Sequence, residues 1–124
     1  MIAALLAVAL VSPAAEDPIE DACYKADESQ QGMNRCAGEA YQRADKALNE
    51  QWLKVAADYL EDAESKKLLL DGQRAWINYR DAQCELAASD SKGGSIWPLI
   101  NSSCLADLTR QRTKELADLL GEGN

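Results

Sequence analysis

The stretch Ser65 to Ala88, SKKLLLDGQRAWINYRDAQCELAA, sets what this chain can fold into, because it holds no proline and a single glycine, Gly72. Leu69, Gln73, Trp76, Arg80, Cys84 and Ala87 recur at spacings of 4, 3, 4, 4 and 3, which is the periodicity of one helix face. Leu70, Ile77 and Cys84 run beside that stripe at intervals of seven. The stretch therefore predicts a long helix that is apolar on a wide face. Gln73 and Arg80 lie inside that face, and an unpaired charge is expensive to bury. Arg80 is thus expected to be the centre of a structural ion-pair or hydrogen-bond hub.

With 124 residues the chain has the size of one domain. Its formal net charge is -8, so nothing resembles the basic footprint of a nucleic-acid binder, and basic partners are favoured. Histidine is absent, which removes the commonest general base and metal ligand. No cysteine pair has the CxxC spacing of zinc or thioredoxin-type sites. No catalytic residue, metal or cofactor is therefore assigned. Paired carboxylates hydrolyse glycosides elsewhere, but here the acids spread along solvated helix faces. An enzyme is the least favoured class.

Ile2 to Val11 is a continuous apolar run, too short to span a bilayer as a helix. Ser12-Pro13-Ala14 follows it with small residues where a signal peptidase cuts. Residues 1–14 read as a secretory signal, 15–22 as an acidic lead-in, 23–120 as one helical domain and 121–124 as a tail. The mature chain then carries no membrane span and works in the periplasm or outside the cell, where cysteines oxidise.

Asp17-Pro18 predicts the start of a short helix reaching about Glu28, with Ser29 to Gly32 breaking it. A second helix is predicted from Met33 to about Leu60, capped by Asn34. Its inward stripe is Ala37, Tyr41, Ala44, Leu48, Trp52, Val55 and Tyr59, with Asp45 flanking it. Its other face carries Arg35, Glu39, Arg43, Lys46, Glu50, Lys54 and Asp58 at i,i+4 spacing and reads as solvated. Asp62 is the candidate cap of the Ser65–Ala88 helix. After the loop Ser89 to Ser95, Ser95 and Pro98 predict a last helix over Ile96–Leu120, ended by Gly121. Its predicted stripe is Ile100, Cys104, Leu108, Arg112, Glu115 or Leu116, and Leu119, again with an arginine inside it. The expected fold is all-α: an antiparallel bundle of three long helices with a short N-terminal helix.

Four cysteines allow three pairings. Cys23–Cys36 and Cys84–Cys104 are favoured, because each pair straddles one predicted helix-to-helix loop and a helical hairpin brings such Cα atoms within the roughly 4.4–6.8 Å a disulfide needs. The second bridge would close the loop holding Lys92, Gly93, Gly94 and Ser95 at its base, leaving it exposed but fixed. Trp97 adjoins it. These five residues form the candidate partner-binding loop, a narrow, polar, cationic tip with an aromatic anchor behind it.

Three groups of residues carry a family resemblance: Cys23 with Met33-Asn34-x-Cys36 and Tyr41-x-x-Ala44-Asp45-x-x-Leu48-Asn49; Gln73-Arg74-Ala75-Trp76-Ile77-x-Tyr79-Arg80-Asp81-x-x-Cys84; and Gly93-Gly94-Ser95, Cys104, Leu108-Thr109 and Arg112. Over about residues 20 to 120 the chain resembles the LprI-type lysozyme inhibitor domain of small secreted bacterial proteins. The resemblance implies a periplasmic protein that binds a basic lysozyme. It implies structural roles for the four cysteines and core or near-core places for Trp76, Arg80, Asp81 and Arg112. With Asp45, Gln73 and Tyr79 these make up the expected polar hub, and Asp45 is the expected carboxylate partner of the arginines. The alternative function is an envelope-associated interaction module that does not inhibit lysozyme.

Overall fold

The computed structural model describes residues 17–121. The expected signal segment, residues 1–14, lies outside them. Four α-helices follow in order: α1 (Pro18–Ala26), α2 (Gln30–Asp58), α3 (Ala63–Ala87) and α4 (Trp97–Leu119), with one 3-10 turn, Ser89–Ser91, between the last two. The all-α expectation holds, and both disulfides form as expected, with Cα atoms 5.8 Å apart for Cys23–Cys36 and 5.5 Å for Cys84–Cys104.

Local chemistry explains most helix ends. The Asp17 carboxylate accepts from the backbone N–H groups of Ile19 and Glu20 and caps α1. Asp62 caps α3 through Ser65 N–H, as expected. Gly121, at φ 75°, ends α4 in the left-handed conformation that suits glycine. At α2 the expectation is corrected. Ser29 does not break the chain but caps it, its hydroxyl accepting from Gly32 N–H, and α2 starts at Gln30. Gly32 is buried where an added Cβ would collide with the Asp27 carboxyl, so a larger residue inside the first turn would push that side chain aside. Asn34 is not a cap. It lies within α2 and donates from its amide to the Ser95 carbonyl at 2.8 Å. Ser95 does not cap α4 either; Ile96 holds that position without a side-chain bond.

Helix α4 packs against both α2 and α3, whereas α2 and α3 scarcely approach each other at the backbone. One end of the α2–α4 interface is lined by Cys36, Ala37, Ala40 and Ala44, all nearly or wholly buried. Such small side chains let helix axes approach closely. The other end is filled by Leu48, Val55 and Leu116, with Trp52, Tyr59, Leu69, Trp76 and Leu120 packed around them. Of the predicted α4 stripe, Leu116 is buried and Ile100, Cys104, Leu108 and Arg112 are partly buried, while Leu119 is half exposed. Ala106 and Thr109 are buried too and were not expected there.

Helix α3 is attached differently. Its buried residues, Gln73, Arg80 and Cys84, all lie on the expected stripe, as do Leu69 and Trp76, which pack against the apolar core; polar bonds and a disulfide supply the rest of its attachment. Leu70 and Ile77 are more than a third exposed, and Ala87 is exposed.

Candidate functional site

Arg80 and Arg112 approach Trp76, their guanidinium carbons 5.1 and 5.9 Å from the ring centre. Arg80 also lies 5.7 Å from the Tyr41 ring. Its Nε donates to Asp81 Oδ1 at 3.0 Å, and a second nitrogen reaches Thr109 Oγ1 at 3.4 Å. Arg112 donates to Gln73 Oε1 at 2.9 Å and pairs with Glu115 at 3.0 Å. The structure thus joins Gln73, Trp76, Arg80, Asp81 and Arg112 into one hub between α3 and α4. Two expected members stand apart. The carboxylate partner of Arg80 is its neighbour Asp81, not Asp45, because α2 and α3 diverge and leave a groove of about 340 Å³ with Asp45 and Arg80 both on its lining. Tyr79 points outward, 57% exposed.

A second groove, about 300 Å³, runs between the C-terminal half of α3 and the start of α4. Asp81, Glu85, Lys92, Trp97 and Asn101 line it. It brings together Lys92 and Trp97 from the expected loop with carboxylates that were not expected there. The loop is fixed at both ends: Cys84–Cys104 ties its base, and Asn34 holds the Ser95 carbonyl from α2. Gly93 adopts φ 79°, which disfavours other residues. Lys92, Gly93, Gly94 and Ser95 are exposed, and Trp97 is half-buried.

A further cluster was not legible as such. Arg43, expected on the solvated face, donates from two nitrogens to Asp17 Oδ2 at 2.9 and 2.8 Å. Arg110 of α4 reaches Glu20 at 3.1 Å and Asp17 at 3.6 Å. Tyr24 donates to Glu20 at 2.8 Å. These contacts bind α1 to both α2 and α4. Burial alone would raise the Asp17 carboxyl, but the Arg43 hydrogen bond and charge and the capping N–H groups hold it below its ordinary value. Burial, then the Glu20 carboxylate, push the Tyr24 hydroxyl up to about 12.

A carboxyl whose folded value is depressed binds fewer protons folded than unfolded. Its stabilisation is present above the unfolded value, about 3.9, and is lost as pH falls through the folded one. The unfolding midpoint should therefore drop in acid below about pH 4. Asp17→Asn, which still caps α1, should be less stable near neutrality and show a shallower acid decline. Thermal melts across this range check it, and parallel acid limbs would count against the assignment.

These features define an all-helical, twice-stapled domain that holds a fixed loop beside a groove. The chain belongs to the family of lysozyme inhibitor LprI, whose sequence pattern matches residues 21–116. It is also similar to Uncharacterized protein R02472 of Rhizobium meliloti (strain 1021), at 42% identity over 126 aligned positions that cover 93% of this chain and 90% of that protein. No solved structure matches. Among the described residues, no helix is long and apolar enough to cross a membrane, and no group of three or more acidic or cysteine side chains is placed to hold a metal ion.

Proposed function

We propose that this protein works in the periplasm or outside the cell, after loss of residues 1–14, and that its domain over 23–120 binds and inhibits a basic lysozyme. Membership of the LprI family over residues 21–116 carries this reading. The charge of -8 supports it, since an acidic inhibitor meets a basic enzyme faster, and less so as salt rises. The contact surface we assign is the loop Lys92, Gly93, Gly94 and Ser95 with Trp97. Pinning at Cys84–Cys104 and at Asn34 limits the entropy lost on docking. Gly93-Gly94 gives a narrow tip, and Trp97 offers a large apolar face behind it.

A cell-wall lysis assay with and without lysozyme tests inhibition, and binding assays on Lys92→Ser and Trp97→Ala test the surface. Trp97→Ala is expected to weaken binding about tenfold or more, an anchor-sized effect, with Lys92→Ser losing less. Undiminished affinity in both variants, at unchanged helicity, removes the loop from the interface. Lysozyme activity unaffected by the parent protein defeats the inhibitor reading itself.

A further inference from the structure

Helices α2 and α3 both rest on α4 but scarcely approach each other, and the gap between them is the groove of about 340 Å³. That size falls at the lower end of the roughly 300–1,000 Å³ of small-ligand pockets. Asp45, Asn49 and Trp52 line it from α2 at spacings of 4 and 3, and Gln73 and Ile77 line it from α3 at a spacing of 4, so each set lies along one helix face. Gln73 is 7% exposed. Its carboxamide oxygen accepts from Arg112 Nε at 2.9 Å, and because an arginine only donates, that bond fixes which limb of the amide is the NH2. Nothing among the described residues accepts from this NH2. No unpartnered side-chain polar atom among them is sealed from solvent, so the NH2 opens outward, and the groove is the opening that Gln73 lines. Asp45, half-buried, and Asn49, exposed, likewise make no hydrogen bond or ion pair among the described residues. The groove thus carries donors and acceptors that the fold leaves unused.

We propose that this groove binds a neutral, N-acetylated saccharide. The inference is independent of lysozyme binding, which uses other residues. Charge decides against an ion. Arg80, also on the lining, is neutralised by Asp81 at 3.0 Å. Asp45 and Arg74 remain, one charge of each sign, so an anion meets Asp45 and a cation meets Arg74. An uncharged ligand that both donates and accepts meets neither penalty. Sugar hydroxyls do both, and the planar carboxylate of Asp45 and guanidinium of Arg74 each present paired atoms to neighbouring hydroxyls. Trp52 packs partly against the core and lines the groove, offering a flat apolar ring to the C–H face of a pyranose. The acetyl group follows from α3. Ile77 is 37% exposed one turn from Gln73, which sets an apolar wall beside an unused amide donor. A methyl next to a carbonyl oxygen fills that pair of contacts, and a bare hydroxyl does not.

A handful of hydrogen bonds and one stacked ring make a weak complex, with Kd on the order of 0.1–1 mM. An uncharged ligand gains nothing from Coulomb attraction. Its affinity should therefore be the same at about 0.05 M and about 0.5 M salt, whereas contact with a basic protein would weaken.

Tri-N-acetylchitotriose titrated to about 10 mM into the isotope-labelled protein, followed by amide NMR, spans that Kd. Shifts should concentrate on the Trp52 indole N–H and the side-chain amides of Asn49 and Gln73. Cellotriose, a similar chain of rings without acetamido groups, should bind at least about tenfold more weakly, and succinate should not bind in the groove. Asp45→Ala should weaken chitotriose binding at least about tenfold, and Asn49→Ala by less. Neither side chain is bonded within the fold, so circular dichroism should show both variants as helical as the parent. Lys54→Ala, on the exposed face of α2, should bind as the parent does. An absence of shifts in the groove, cellotriose or succinate binding as well as chitotriose, undiminished affinity in Asp45→Ala, or affinity that falls as salt rises would each overturn the proposal.

Discussion

Arg110→Ala should lower the unfolding free energy by about 2–3 kcal/mol, near the lower end of what breaking a buried ion pair costs. The Arg110 side chain is 15% exposed and faces Asp17 and Glu20, themselves 13% and 16% exposed. Removing it leaves two nearly covered carboxylates with Arg43 as their remaining guanidinium, bound to Asp17 alone. Water reaching the rim of the cluster keeps the cost below that of a sealed site. In urea the midpoint should fall by about 1 M or more, given slopes of roughly 1–3 kcal/mol per molar. Lys54→Ala on the exposed face of α2 should move it by less than about 0.5 kcal/mol. The penalty should also shrink in acid, where protonated carboxylates no longer need the guanidinium. A shift no larger than that of Lys54→Ala, or one that persists unchanged in acid, would sink the claim that Arg110 secures α1.

The helices were legible because their breakers and caps are local. Asp17-Pro18, Asp62 and Gly121 act within a few residues, and the chain follows them. The cysteine pairing was legible for a related reason, since each bridge spans a single helical hairpin. Ser29 failed as a breaker because serine supports both turns and caps, and the helical residues after it decided between them. The long-range ion pairs were hidden. Arg43 sits in an i,i+4 pattern with Glu39 that looks solvated until α1 folds over it, and no spacing rule pairs residues 17 and 43. In α4 the stripe holds at Leu116, but Ala106 and Thr109 were hidden because small or polar side chains carry little hydrophobic weight, and Leu119 lies half exposed at the helix end. The groove residues Glu85 and Asn101 meet only through the crossing of α3 with α4.

Arg80→Ala should cost about 3 kcal/mol, and the reason differs from the one the sequence suggested. A buried arginine facing a buried Asp45 would owe its effect to a carboxylate stranded without a partner. The actual partner, Asp81, is 58% exposed, so its loss of Arg80 is cheap. What Arg80→Ala destroys is the packing of the hub. The side chain is 10% exposed and lies against both Tyr41 and Trp76, and each such contact contributes about 0.5–2 kcal/mol when desolvated. Thr109, wholly buried, loses its guanidinium donor, and the aliphatic stem leaves a cavity. Besides Arg80, α3 buries only Gln73 and Cys84, so the partly buried Leu69 and Trp76 are its main apolar compensation. Arg80→Lys keeps the charge but not the planar fork that meets Asp81, Thr109 and two rings at once, so it should recover only part of the loss. Arg35→Ala is the contrast. Its side chain is 56% exposed, and its ion pairs with Asp27 and Glu39 are both 3.9 Å long, worth about 0.5 kcal/mol or less. Urea midpoints of the three variants measure the difference. If Arg80→Ala and Arg35→Ala unfold together, α3 is held by Cys84–Cys104 and the end of the apolar core, and the hub adds nothing. If Arg80→Lys matches the parent, charge alone suffices and the ring contacts are idle.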